Sequence, residues 1–292
     1  MKESFVTYRR RKGYSEKSIK VNDSHLRRFT EWSIQESIDL YNLTYENALE
    51  FISNERKRGL LNQSIVRELN SIRIYYDYLI WKKQIKDNVI SRIQIRQAPH
   101  KIVSGMLSCG QLQSIYLNYQ KLPQWEKTSK TTERLHQRNS VILGLLIYQG
   151  ITSGDIARLE ISHVKLLEGK IYIPSSRKSN ARNLEMQAAQ FSTLQSYLNT
   201  LTTENRQSAY LFPGKKHGDM VASLLKQVKR QYPQVTDARQ IRASVIMNWL
   251  KTENIRQVQY MAGHKSIRST EQYRSQDVSN LARQLELFHP LG

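Results

Sequence analysis

From Asn62 onward, apolar side chains return every three or four residues, at Ile65, Leu69, Ile72, Tyr76 and Leu79. That spacing puts them on one stripe of an α-helix and excludes a strand, whose faces alternate every second residue. A helix with such a stripe must bury it against other helices, and the neighbouring segments read as those partners. Ser15 is placed to N-cap a helix over 15–33, with Ile19, Leu26 and Phe29 near one face. Thr44 is placed to cap another that runs to about Arg58, and Gly59 follows where glycine ends a helix. A short further helix is expected after Asp87. Residues 1–92 are therefore expected to form a small all-helical unit.

The periodicity breaks over 93–106, where Pro99 and Gly105 accompany Arg96, His100 and Lys101. This stretch reads as a linker. Ser108 and Gln111 form a capping-box pair for a helix over 109–120. Residues 121–134 read as a polar loop, and Arg138 to Gln149 as a strongly apolar helix at the centre of a second domain. A short helix is expected near 153–160. Ile171 to Ile173 and Asn183 to Gln187 read as strands around a turn from Ser175 to Arg182. Helices follow near 190–201, 220–231, 237–251, 254–262 and 267–273, then an amphipathic segment, Val278 to Phe288, with Leu281, Leu285 and Phe288 on its apolar side. The expected fold class is mainly α with a small antiparallel β-sheet, divided as domain 1–92, linker 93–106 and domain 107–292.

Charge narrows the function. The chain carries 45 Lys and Arg against 25 Asp and Glu, a formal net charge of +20. Residues 1–100 hold 19 of the basic and 12 of the acidic residues, so both halves are basic. A surplus of this size suits a polyanionic partner, double-stranded DNA foremost. A solvated basic surface, or a ribosomal or membrane-surface protein, are the alternatives. The 39% hydrophobic content is enough for real cores and argues against global disorder. Cys109 is the single cysteine, which fits a reducing cytoplasm, and it is expected to be a small buried residue. The basic stretch Met1 to Lys12 precedes no apolar signal region, and the run Val141 to Tyr148 is too short to span a bilayer. No membrane partner is expected.

The stretch from Tyr260 to Tyr273 is the most informative. Gly263 ends one helix, His264 lies just beyond it, and Tyr273 follows nine residues later in or beside another. Upstream, Arg239 and Arg242 sit three apart on one helical face, a spacing suited to phosphate recognition by guanidinium groups. Lys178 stands in the polar turn between the two strands. These are parts for phosphoryl transfer without a metal: a phenol to attack phosphorus, arginines and a histidine to neutralise the growing charge, and a lysine to protonate the departing oxygen. No carboxylate cluster for Mg²⁺ and no glycine-rich phosphate loop is visible, so neither metal nor cofactor is expected.

The sequence resembles the tyrosine recombinases of the phage integrase and Xer type over nearly its whole length. The family's closing motif, leucine-glycine-histidine with tyrosine nine residues on, is matched by Met261-Ala262-Gly263-His264 and Tyr273, with Ser266, Ile267 and Thr270 also in pattern. Its second arginine corresponds to Arg242 and its hairpin lysine to Lys178, with Arg177 and Arg182 as competing cations. The resemblance implies a helical, SAM-like core-binding domain, a catalytic domain, and a 3′-phosphotyrosyl intermediate on Tyr273. It also implies a tetramer on DNA, with Val278 to Phe288 docking onto a neighbouring protomer or, alternatively, onto its own domain. Mobile-element integration, excision or inversion would be the setting.

Two positions depart from the family pattern. Thr152 stands where its first arginine belongs, in Gly150-Ile151-Thr152-Ser153-Gly154-Asp155, and Thr152 with Asp155 reads as a helix N-cap pair. Arg239 stands where a histidine is usual, and Ala243 follows Arg242. Arg239 is the candidate substitute for the missing charge. Arg158 is expected to pair with Asp155 rather than replace that charge. Phosphate contacts are expected from Arg9, Arg10, Arg11, Lys12, Lys17, Lys20, Arg27, Arg28, Arg67, Arg73, Lys101, Arg177 and Arg182. The competing reading is a non-cutting DNA-binding accessory protein with a degenerate site.

Overall fold

The computed structural model describes residues 4–96, 105–121, 130–204, 208–214 and 217–274. The chain divides into two compact units, Met1–Lys101 and Ile102–Gly292. The first contains α1 (Phe5–Arg11), α2 (Glu16–Gln35), α3 (Tyr45–Lys57) and α4 (Asn62–Trp81), with single 3₁₀ turns at Leu40–Asn42 and Val89–Arg92. The caps are those the sequence predicts. Ser15 accepts from Ser18 N at the start of α2, Thr44 forms a reciprocal capping box with Asn47, and Gly59 takes φ +82° beyond α3. The α4 stripe is buried throughout; Ile65, Leu69, Ile72 and Tyr76 share a core with Phe29, Trp32, Phe51 and Ile90, with Phe29 and Phe51 edge to face at 5.0 Å, and Leu79 packs with Tyr8 and Tyr78. Each such buried side chain contributes about 1.5–3 kcal/mol.

Three local expectations are corrected in this unit. Helix α1 occupies the N-terminal stretch read only as basic, capped by Ser4, whose hydroxyl accepts from Thr7 N. The segment after Asp87 is one 3₁₀ turn, too short for an α-helix. Arg9, expected on the DNA-facing surface, is 1% exposed. Its guanidinium donates to Ile19 O and to Asp23 and lies 3.9 Å from the Phe5 ring centre, so it staples α1 to α2.

The second unit contains α5 (Cys109–Gln120), α6 (Lys130–Tyr148), α7 (Ser153–Ile156), β1 (Val164–Lys165), β2 (Lys170–Ile173), β3 (Arg182–Glu185), α8 (Ala188–Glu204), α9 (His217–Gln231), α10 (Ala238–Thr252) and α11 (Ile255–Ala262). Residues 268–274 are again helical. The sheet is antiparallel in order β1-β2-β3, with Ile171 opposite both Val164 and Leu184. Helix α6 is the centre, where Ile142, Leu143, Leu145 and Leu146 are at most 1% exposed. It begins at Lys130, so the last five residues of the expected 121–134 loop are helical. Strand β1 was not expected; two residues are too few to show alternation. Cys109 is exposed, not buried, because the Ser108 cap makes it the first helical residue and turns it to solvent. Among the described residues no helix is long and apolar enough to cross a membrane.

Candidate active site

Helix α10 starts at the N-cap Asp237, whose carboxylate accepts from Arg239 N and Gln240 N. One turn further in, Arg242 points into the interior of the second unit. Its guanidinium donates to the carbonyls of Gly150 and Ala262, the latter at 2.7 Å, and meets His264 Nε2 at 3.3 Å. Two fixed carbonyls lock the planar fork in place. Burial, and then the charge of Arg182, push the Arg242 pKa down, while Tyr273 and Asp155 oppose them. A guanidinium does not lose its proton in a protein. Arg242 therefore stays a cation, with the charge of Arg182 nearby.

His264 is delivered by the end of α11. Gly263 adopts φ +71°, a left-handed turn that any side chain would strain, and His264 N then donates to Gln259 O. The ring's Nδ1 lies 2.8 Å from Thr270 Oγ1. Arg242 has only donors, so Nε2 accepts, and the ring proton sits on Nδ1 and donates to Thr270. Burial, Arg242 and Arg182, in that order, push the His264 pKa down to about 4. The ring is therefore neutral near pH 7. Tyr273 lies parallel to it, ring centres 6.0 Å apart at an interplanar angle of 8°, and packs on the small apolar cluster of Ile246, Val258 and Ala262.

The β2–β3 hairpin is drawn to the same place. Asn180 N donates to Gly263 O at 3.0 Å, and Ser179 bridges His264. Lys178, one residue before that bridge, is exposed at the tip beside exposed Arg177. Arg182 opens β3 and is 2% exposed, which corrects its expected place on the DNA-facing surface. Its Nη2 is 3.4 Å from Asp155 Oδ2 and its Nη1 donates to Asn180 O. Asp155 also accepts from Thr152 N and Thr152 Oγ1, both at 2.9 Å, and from Arg158 at 2.7 Å. Thr152 is thus the N-cap of α7, and Arg158 makes the expected pair with Asp155.

Of the five residues proposed for the chemistry, the structure gathers Arg242, His264 and Tyr273, with Lys178 on the hairpin tied to them. Arg239 does not join them by any hydrogen bond among the described residues. It is exposed at the start of α10 and lines a shallow cleft with Ser153, Lys226 and Lys229. Sequence reasoning missed the interior position of Arg182. The signal available was its place two residues before Leu184, on the alternating face of β3 that turns to the core.

The other cations differ in how free they are. Lys17, Lys20, Arg27 and Arg67 are exposed. Exposed Arg10 pairs with Glu16, and half-buried Arg28 with buried Glu68. Arg73 is held by Asn70 and Ile90 O. Arg11 and Lys12 are exposed and lie over Trp81 and Tyr8. Lys101 and the segment from Val278 to Phe288 lie outside the described residues.

Comparison with known proteins accords with this arrangement. The profile of the Phage integrase family matches residues 116–280, and that of the Phage integrase N-terminal SAM-like domain matches residues 5–83. A tyrosine recombinase of Agathobacter rectalis is 25% identical over 288 residues, covering 96% of this chain and 92% of the relative. Among solved structures, the Tn1549 transposon integrase in complex with transposon right end DNA has a TM-score of 0.66 at 15% identity, covering 97% of this chain and 98% of that one. XerH recombinase bound to a palindromic difH substrate has a TM-score of 0.68 at 18% identity, covering 90% and 78%. The chain belongs to the phage integrase family of tyrosine recombinases, which break and rejoin DNA.

Proposed function

We propose that this chain is a site-specific recombinase that cuts and rejoins duplex DNA through Tyr273, in the integration, excision or inversion of a mobile element. In the cleavage step the Tyr273 oxygen attacks a backbone phosphorus. The Oη–P bond forms as the P–O5′ bond breaks, leaving a 3′-phosphotyrosyl link. The phenolic proton leaves to a solvent water, His264 holds the Arg242 fork through Nε2, and the departing 5′ oxygen takes a proton from Lys178. Arg242 stabilises charge on the non-bridging oxygens. Ligation reverses these transfers and needs no nucleotide cofactor, because the phosphotyrosyl link retains the energy of the broken bond. DNA is gripped by the exposed cations, Lys17, Lys20, Arg27, Arg67 and Arg177 among them, with Arg239 at the start of α10 as a further phosphate contact. Four protomers assemble on two sites through Val278 to Phe288, in a cytoplasmic setting.

The observation that carries this reading is the stacked His264–Tyr273 pair joined to the half-buried guanidinium of Arg242. The test uses nicked duplexes cut from the DNA that flanks the gene, resolved on a denaturing gel. Wild-type protein is expected to form a covalent adduct and Tyr273→Phe none. An adduct that survives Tyr273→Phe would overturn the nucleophile. One observation favours a second reading, a DNA-binding accessory that does not cut: Thr152 caps α7 and leaves no guanidinium at that position. Binding of these duplexes without any wild-type adduct would select it.

A further inference from the structure

Arg158 and Arg182 converge on one carboxylate, Asp155, while Arg242 is held nearby by the carbonyls of Gly150 and Ala262. Arg158 takes the short contact, 2.7 Å, and leaves Arg182 at 3.4 Å, long for a charged hydrogen bond. Arg182 Nε has no partner among the described residues. A buried cation so weakly compensated destabilises a fold, whereas an apolar side chain of similar volume would not. The backbone nevertheless makes room for it. A Cβ at Gly263 would stand 2.5 Å from Arg182 Nη1, so the residue before His264 has no side chain where the guanidinium lies. The hairpin that carries Arg182 is tied at the same place, through Asn180 N to Gly263 O and through Ser179 to His264. The charge also reaches the site, since Arg182 contributes to the lowered pKa of both Arg242 and His264.

We infer that Arg182 is a positioning residue for strand cleavage: its buried charge, held beside Gly263 and His264, adds to the field of Arg242 at the scissile phosphate. It supplies from β3 positive charge that Thr152 does not supply from α7. Interior dielectric makes such a fixed charge effective without contact. This inference deepens the proposed function and rests on it.

The test compares single-turnover adduct formation on a nicked duplex with an ordinary phosphate at the scissile position and on one with an uncharged methylphosphonate there. Arg182→Met is expected to slow adduct formation about 10²-fold on phosphate, the scale of one lost electrostatic stabiliser. On methylphosphonate the same variant is expected to come within about tenfold of wild type, because one negative charge fewer needs one cation fewer. Gel-shift binding and a thermal melt establish that the variant folds and binds. A wild-type rate for Arg182→Met on phosphate overturns the inference, as does an equal defect on both duplexes in a folded, binding variant, which would mark Arg182 as merely structural. Should Arg182→Met fail to fold, Arg182→Lys decides. It retains the charge and is expected within about tenfold of wild type, and a loss of about 10²-fold with binding intact sinks the idea. Wild-type protein that binds both duplexes and forms no adduct on either brings down the proposed function itself, and this inference with it.

Discussion

The two units treat buried charge in opposite ways. Among the described residues of the helical unit each buried charge has an opposite partner: Arg9 with Asp23, Glu68 with Arg28, and Glu55 with Arg58. In the second unit two arginines, Arg158 and Arg182, share Asp155, and Arg242 is held by neutral carbonyls and an imidazole instead of a carboxylate. These pairs hold helices together and match each buried charge with an opposite one, though Glu68 Oε2 and Arg28 Nε make no hydrogen bond among the described residues. A surplus of cations in a low-dielectric interior is an unfinished arrangement that an anion would complete, and a backbone phosphate has the right charge. The contrast separates two kinds of buried arginine that look alike in sequence.

The largest expected effect lies on the surplus side. Arg242→Ala should lower single-turnover adduct formation by about 10³–10⁵-fold, the range for an arginine lost from phosphoryl transfer. A variant within tenfold of wild type would show that the surplus is not used in chemistry. On the balanced side, Arg28→Met strands Glu68 in the core and should destabilise the full chain by about 3 kcal/mol in urea unfolding, with the adduct rate per folded molecule unchanged. A rate loss there would erase the distinction between the units.

A smaller effect follows from His264, whose folded pKa of about 4 lies below its ordinary value of 6.5. The unfolded chain then binds the proton first as the pH falls. The folded state keeps its full stability above about pH 6.5 and loses it between there and about pH 4. His25 and His136 are lowered by burial in the same sense, so the measurement is a difference. His264→Gln should lose less melting temperature than wild type between pH 7 and pH 4.5, and equal losses would refute the depressed pKa. The smallest effect is Thr152→Ala, which removes the α7 cap and should cost about 1 kcal/mol in thermal unfolding while leaving DNA binding intact. A selective loss of adduct instead would give the Thr152 hydroxyl a role at the phosphate.

Local grammar made much of this chain legible in advance. Capping residues, helical stripes and the glycine at 263 each act within a turn or two, so Ser15, Thr44, Ser108 and the Thr152–Asp155 pair could be placed by inspection. The spacing from Gly263 to Tyr273 likewise marked the segment that carries the stacked rings. Errors arose where burial depends on residues far along the chain. Arg9 and Arg182 read as surface cations because nothing nearby reveals Asp23 on α2 or Asp155 on α7 as their partners. Cys109 read as buried on composition alone, whereas its place at the start of α5 turns it outward.

What the sequence determined alone, then, is the helical architecture, the basic surface and the order of the reactive residues, because propensity, capping and net charge are properties of short segments. Tertiary structure decided which arginines face inward, which hydrogen bonds fix the proton on His264 Nδ1, and that the hairpin comes to rest on Gly263. Those outcomes depend on desolvation and on contacts between segments scores of residues apart, which no local pattern encodes.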